Sequence, residues 1–411
     1  MATKPSWARV EGPLAPYAQG FRSQLESQGY TLLTAAGHVR LMAHLSRWMA
    51  DEGLEVSALT LQKIEEYFAV RRAVGYVNER TAGALVPLVD FLHRSGVLPP
   101  HEVAAPDGPV EILLDRFARY LRVERGLADS TVRLNVDLVR AFVAEHVDGA
   151  HEDEDDDRIV LCGLDARRIG AYVVAQCEQR PGSAGRIATA LRSLLTFLYT
   201  DGLVDEPLAG LVPKVAARSQ QTLPKALEPG QVEALLSTCD LGTVTGRRNR
   251  AILLLLVRLG LRAGEVAGLE LDDMDWRRGE FQVAGKAGRQ ERLPLPADVG
   301  EAIVAYLYDG RPDCAQSRHV FVGVQAPYRG LTTAAISTLV AVAGRKAGLG
   351  KIGAHRLRHT AATSMLRAGG GLEEIGNVLR HSRVATTALY AKVDREALRG
   401  LARPWPQGAR R

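Results

Sequence analysis

Cysteine is scarce in this chain of 411 residues: the four cysteines, Cys162, Cys177, Cys239 and Cys314, are scattered and form no CxxC pair. That spacing excludes a disulfide framework and a zinc ribbon, and it fits a reduced, cytoplasmic protein. Long apolar runs are missing too. Ala251–Val257 is closed off by Arg258, well short of the roughly 20 residues needed to cross a bilayer, so no membrane partner is expected. The start, MATKPSWARVEGP, lacks the apolar stretch of a signal peptide. Lysine supplies only 8 of the 52 basic residues, so a lysine in an unusual place is hard to dismiss as filler.

The apolar fraction of 46% and charged fraction of 24% exclude a largely disordered chain. At this length two or three domains are expected. The net charge of +5 conceals an asymmetry. Residues 214–411 hold 30 Lys and Arg against 18 Asp and Glu, whereas residues 1–213 hold 22 against 29. A basic C-terminal half points to a polyanion as partner.

Helical periodicity dominates the first half, with an internal repeat. ALVPLVDFLHRSGVL (84–98) parallels ALRSLLTFLYTDGLV (190–204), and the segment 21–48 parallels 117–142. The offset grows from 96 to 106 residues, and the acidic run Glu152–Asp157, read as a solvated loop, accounts for the difference. Thr31 and Ser130 are the expected helix N-caps. Pro-bearing linkers at 98–109 and 211–229 bound these units, and the second, with two lysines and an arginine, reads either as a basic strap or as a plain linker. The expected domains are 1–104, 110–213 and 225–411. The last changes character: a helix over Arg247–Arg262, short strands at 269–276, 280–285 and 291–296, then helices at 297–308, 331–347, 355–368, 372–379 and 385–398. The predicted fold class is mainly α, with an α+β C-terminal domain carrying one small antiparallel sheet. The glycines of AGGGLEEIG (368–376) lack a GxxxxGK[ST] pattern and a preceding strand, so they read as a helix–helix loop.

Several side chains invite a chemical reading, each beside a bland one. In HRLRHT (355–360), His355 and Arg358 share a helix face, which by itself is a charged surface. His355 and His359 have metal-ligand spacing, but Arg356 stands where a zincin helix needs Glu. Arg262 and Glu265 in LRAGEV are three apart, the spacing of an ordinary ion pair. Lys286 sits in a strand–turn–strand, a usual place for a solvated lysine. His381 and Tyr390 lie nine apart in RHSRVATTALY.

In this order and context, Arg262, Lys286, His355, Arg358, His381 and Tyr390 resemble the signature boxes of the tyrosine recombinase (phage integrase) family. The resemblance is strong over about 225–400 and looser over 110–210, which looks like the family's SAM-like core-binding domain; residues 1–104 look like a second copy. It implies that Arg262 and Arg358 grip the non-bridging oxygens of a phosphodiester. Tyr390 is then the nucleophile, His355 accepts or relays its proton, Lys286 protonates the departing 5′ oxygen, and His381 hydrogen-bonds the phosphate. Glu265 and His359 act one layer out. The implied product is a 3′-phosphotyrosyl link, formed without metal, ATP or any cofactor. Implied partners are double-stranded DNA, three further copies in a homotetramer on paired sites, and an accessory recombinase or directionality factor. A bacterial, nucleoid-associated mobile-element integrase or transposase is the expected role. The same features leave room for a type IB topoisomerase, a DNA-binding regulator or a metal-dependent hydrolase. One departure stands out: Arg380 occupies the place before His381 where the family often has Gly, adding a phosphate contact or shifting the loop. Trp405, near the C-terminus, is either an anchor on a neighbouring subunit or part of a packed tail.

Overall fold

The computed structural model describes residues 7–76, 81–99, 108–148, 160–161, 163–215, 226–285 and 290–380. The acidic run 152–157, much of both linkers, Lys286, His381, Tyr390, the helix expected at 385–398 and Trp405 lie outside these residues. The chain divides into two compact units, one of residues 101–222 and one combining 1–100 with 223–411.

In the first of these, α5 (Pro109–Val123), α6 (Asp129–His146), α7 (Ala166–Gln179) and α8 (Ala184–Thr200) enclose a core that includes Phe117, Phe142, Leu191 and Leu194. The ring centroids of Phe117 and Phe197 lie 5.6 Å apart in tilted contact. The strands β1 (Val147–Asp148) and β2 (Val160–Leu161) pair antiparallel. Helix α6 begins one residue before the expected cap. Ala128 holds the N-cap conformation and Asp129, ion-paired to Arg122 at 3.0 Å, opens the first turn, so Ser130 lies inside the helix.

In the N-terminal part of the second unit, the helices α1 (Ala18–Ser27), α2 (Leu32–Asp51), α3 (Leu61–Ala73) and α4 (Val86–Arg94) likewise pack around Phe21, Met42, Leu45 and Phe68. Thr31 caps α2 by accepting the Thr34 N–H at 3.2 Å, and Thr60 caps α3 in the same way. Arg329 reaches Asp90 of this part at 2.7 Å.

Residues 226–380 are organised on α10 (Val244–Arg258). Its run Ala251–Val257 is buried on every side, which is why it reads as continuously apolar rather than striped. Helices α9 (Pro229–Ser237), α12 (Ala297–Asp309), α13 (Thr333–Lys346) and α14 (Ala354–Arg367) pack on this core with the sheet, and α15 (Leu372–Val378) follows. The sheet is β3 (Met274–Asp275), β4 (Glu280–Ala284) and β5 (Gln290–Pro294), antiparallel in that order. Phe281, Val283 and Leu293 turn into the core while their neighbours face outward, the period-2 pattern visible in the sequence. The segment expected as a strand from 269 is mostly irregular. Glu270 and Asp273 cap a 3₁₀ turn at Leu271–Asp273, and Leu271 N–H donates to Arg318 O, leaving two residues for β3. No helix among the described residues is long and apolar enough to cross a membrane.

Candidate active site

Three backbone events bring the expected side chains together. The first is at Gly260, where α10 has already ended at Arg258 rather than at the expected Arg262. Gly260 takes φ +63°, a left-handed turn that costs glycine little. It is also crowded: a Cβ there would lie 2.5 Å from Leu379 Cδ2 and 3.2 Å from Ala361 Cβ. The turn leaves Arg262 extended, as the N-cap of the short helix α11 (Ala263–Ala267).

The second is the start of α14, which carries His355, Arg358 and His359. Thr360 anchors it by accepting the Leu227 N–H at 2.9 Å while donating to Arg356 O at 3.0 Å. Arg367, near the other end, forms a two-point ion pair with Glu228 at 2.8 and 3.0 Å. The third is the end of α15, where Arg380 takes φ +54°, unusual for a residue with a side chain.

Arg358 is 3% exposed. Its guanidinium donates to Gly260 O at 2.6 Å and to Leu379 O, so it ties the left-handed turn to the residue two before His381. Arg262 keeps 44% of its side chain exposed. Its backbone N–H donates to Glu265 Oε2 at 2.8 Å, its Nη1 to Glu265 Oε1 at 2.5 Å, and its Nη2 to Arg380 O at 3.2 Å. Glu265, with a side chain only 6% exposed, also accepts from Arg380 Nη2 at 2.6 Å. A buried carboxylate between two guanidiniums is thus compensated, and the outer guanidinium is fixed with one edge toward solvent.

The His355 and His359 rings meet edge to face with centroids 4.3 Å apart. Desolvation, then the charges of Arg358 and Arg262, push the His355 pKa below its usual value. Desolvation, then His355 and Arg358, bring His359 down to about 4. Both imidazoles are therefore neutral at physiological pH, so His355 is able to accept a proton beside two fixed positive charges.

The expected cluster thus assembles as far as it is described: Arg262, Glu265, His355, Arg358 and His359 converge from segments about a hundred residues apart. Lys286, His381 and Tyr390 fall outside the described residues; the chain enters 286–289 from β4 and returns in β5. Among the described residues no three His, Cys, Asp or Glu side chains gather as a metal site. Two residues take parts beyond those read from the sequence. Gly260, which with Gly264 suggests in the sequence a close-packed turn around Arg262, also supplies a carbonyl to Arg358. Arg380 was expected to contact phosphate or displace the loop, whereas its side chain is 2% exposed and faces Glu265.

Comparison with known proteins places the chain in a wider set. Residues 225–397 match the Phage integrase family. The provisionally named integrase/recombinase y4rA of Sinorhizobium fredii is 38% identical over 404 residues, covering 96% of this chain and 95% of that one. The tyrosine recombinase XerD of Listeria innocua is 30% identical over 293 residues, 70% of this chain and 96% of its own. In fold, the chain resembles XerH site-specific recombinase bound to palindromic difH substrate, with a TM-score of 0.54 at 17% identity over 73% of this chain and 98% of that one. A lambda integrase dimer (residues 75–356) bound to a core site gives 0.51 at 16% identity, over 72% and 96%.

Proposed function

The chain belongs to the phage integrase family of tyrosine recombinases, and from that premise we propose that it is a site-specific DNA recombinase that cuts and rejoins duplex DNA through Tyr390. The observation that carries this reading is the fixed pair Arg262 and Arg358 beside neutral His355. A phosphodiester repels nucleophiles because its non-bridging oxygens are anionic, and guanidiniums held in advance offset the charge that builds in the transition state. Tyrosine, with a reference pKa of about 10, is a poor nucleophile until its proton is taken.

In the proposed step Tyr390 Oη attacks phosphorus and its proton passes to His355. The P–O5′ bond breaks and the 5′ oxygen leaves as a hydroxyl with a proton from Lys286. His381 hydrogen-bonds the phosphate. The 3′-phosphotyrosyl ester conserves the energy of the broken bond, so rejoining is the same step reversed, on the original strand or on a partner strand. Metal and ATP have no part in it.

The assignments of 110–213 as a core-binding domain, 225–411 as the catalytic domain and 1–104 as a further helical domain belong to this reading. So do a tetramer on paired sites and a role in moving a mobile element. Duplexes tiled across the flanks of the protein's own locus, incubated in EDTA and run on denaturing gels, test it. A protease-sensitive covalent adduct that disappears in Tyr390→Phe is expected. Retardation without any adduct on every duplex contradicts it.

A further inference from the structure

The Arg380 side chain is buried and turned to Glu265. The backbone there is left-handed, a conformation that costs a side-chain-bearing residue energy that glycine avoids. Yet the residue is an arginine with a buried guanidinium. Its contacts account for the choice. Nη2 pairs with Glu265 Oε2 at 2.6 Å, Nη1 donates to Val378 O at 3.3 Å, and Nε faces Glu291 of β5 at 3.9 Å. Its carbonyl, meanwhile, receives Arg262 Nη2 at 3.2 Å. One residue therefore holds Arg262 twice, directly through its carbonyl and indirectly by fixing the carboxylate that grips Arg262 from the other side.

We propose that Arg380 is a positioning residue that sets the guanidinium of Arg262, with Glu265 as the intermediary. This rests on the reading of Arg262 as a phosphate clamp. Glu265 alone, deep in the fold with a single partner on its outer side, would follow Arg262 rather than fix it. With Arg380 on its inner side, the carboxylate has a defined place and passes that place on. Arg262, with 44% of its side chain exposed, depends on such support, because a long side chain at the surface otherwise samples many rotamers.

Arg380→Gly removes the guanidinium and keeps a residue at ease in the left-handed turn, so the carbonyl contact survives. We expect single-turnover cleavage at saturating DNA to fall at least about tenfold, the loss that misplacing a reacting group by a fraction of an ångström produces. The Kd for DNA should change little. Arg380→Lys, which keeps one charge for Glu265, should recover part of the rate, while Arg380→Gln should not. A substrate with a neutral methylphosphonate at the cleaved position, which lacks the charge Arg262 offsets, separates positioning from packing. On it, the penalties of Arg262→Ala and Arg380→Gly should shrink together. If Arg262→Ala is compensated and Arg380→Gly is not, Arg380 does not act through Arg262 and the proposal is overturned. If Arg262→Ala itself is not compensated, the clamp reading fails first, and the proposal with it. Wild-type cleavage by Arg380→Gly overturns the proposal, as does a loss confined to Kd. Should Arg380→Gly fail to fold, Arg380→Lys carries the same comparison, with compensation on the neutral substrate as the deciding result.

Discussion

Replacing Gly260 by alanine adds one methyl group, and the structure states what that methyl meets. The backbone at φ +63° is left-handed, which costs a residue with a Cβ about 1–2 kcal/mol. The Cβ would also stand 2.5 Å from Leu379 Cδ2 and 3.2 Å from Ala361 Cβ. Leu379 and Ala361 are both fully packed, and forcing a methyl into such a core costs about 1–3 kcal/mol more. The sum, about 2–5 kcal/mol, is a large part of the stability of a domain. Gly279 supplies the control, because its φ is +65° and nothing lies within 4 Å of a Cβ there. Gly279→Ala should therefore cost only the backbone share, about 1–2 kcal/mol. Urea unfolding followed by circular dichroism reads both. Because Gly260 O receives Arg358 and Leu379 adjoins Arg380, Gly260→Ala should also lose DNA cleavage under conditions where it remains folded. Equal losses of stability for the two variants would refute the crowding argument, and full cleavage by Gly260→Ala would refute the link to Arg358.

Three further outcomes follow from the same geometry. Arg358→Lys replaces a planar fork that serves Gly260 O and Leu379 O with a single point charge; cleavage should fall by about two orders of magnitude or more, with DNA retardation largely kept. Thr360→Val strands the buried Leu227 N–H and should cost about 1–3 kcal/mol by urea unfolding. The third concerns pH: His359 has a folded pKa of about 4 against an ordinary 6.5, so the unfolded chain binds the extra proton first on acidification. Its contribution is complete above pH 6.5 and is lost as pH falls toward 4. With its half-buried ring partly screened by solvent, about 1–2 kcal/mol is expected. His359→Asn should flatten that acid slope in thermal melts, and an unchanged slope would count against the assignment.

What the sequence made legible follows from how local the cause was. The all-round burial of Ala251–Val257 and the alternation of Phe281 and Val283 are written in neighbouring residues, so the central helix and the sheet were readable. Thr31 was readable as a cap because its partner is three residues away. Ser130 was not, because Asp129 reaches back to Arg122 and opens the helix earlier. The strand expected from 269 failed on a contact that spans the chain, the Leu271 N–H to Arg318 O bond, joined to a local Glu270–Asp273 turn. The Arg262–Glu265 spacing gave the ion pair, and the resemblance gave its company. The inward turn of Arg380 depends on a left-handed residue meeting a carboxylate 115 positions earlier, which no periodicity in the sequence records.

The central claim is that Tyr390 forms the covalent bond to DNA. The most direct measurement is to isolate the adduct formed in EDTA, digest it with trypsin and nuclease, and identify the modified peptide by mass spectrometry. The account predicts a nucleotide joined through its 3′ phosphate to Tyr390 within VATTALYAK, residues 384–392. A nucleotide on any other residue, or one joined through a 5′ phosphate, would contradict it.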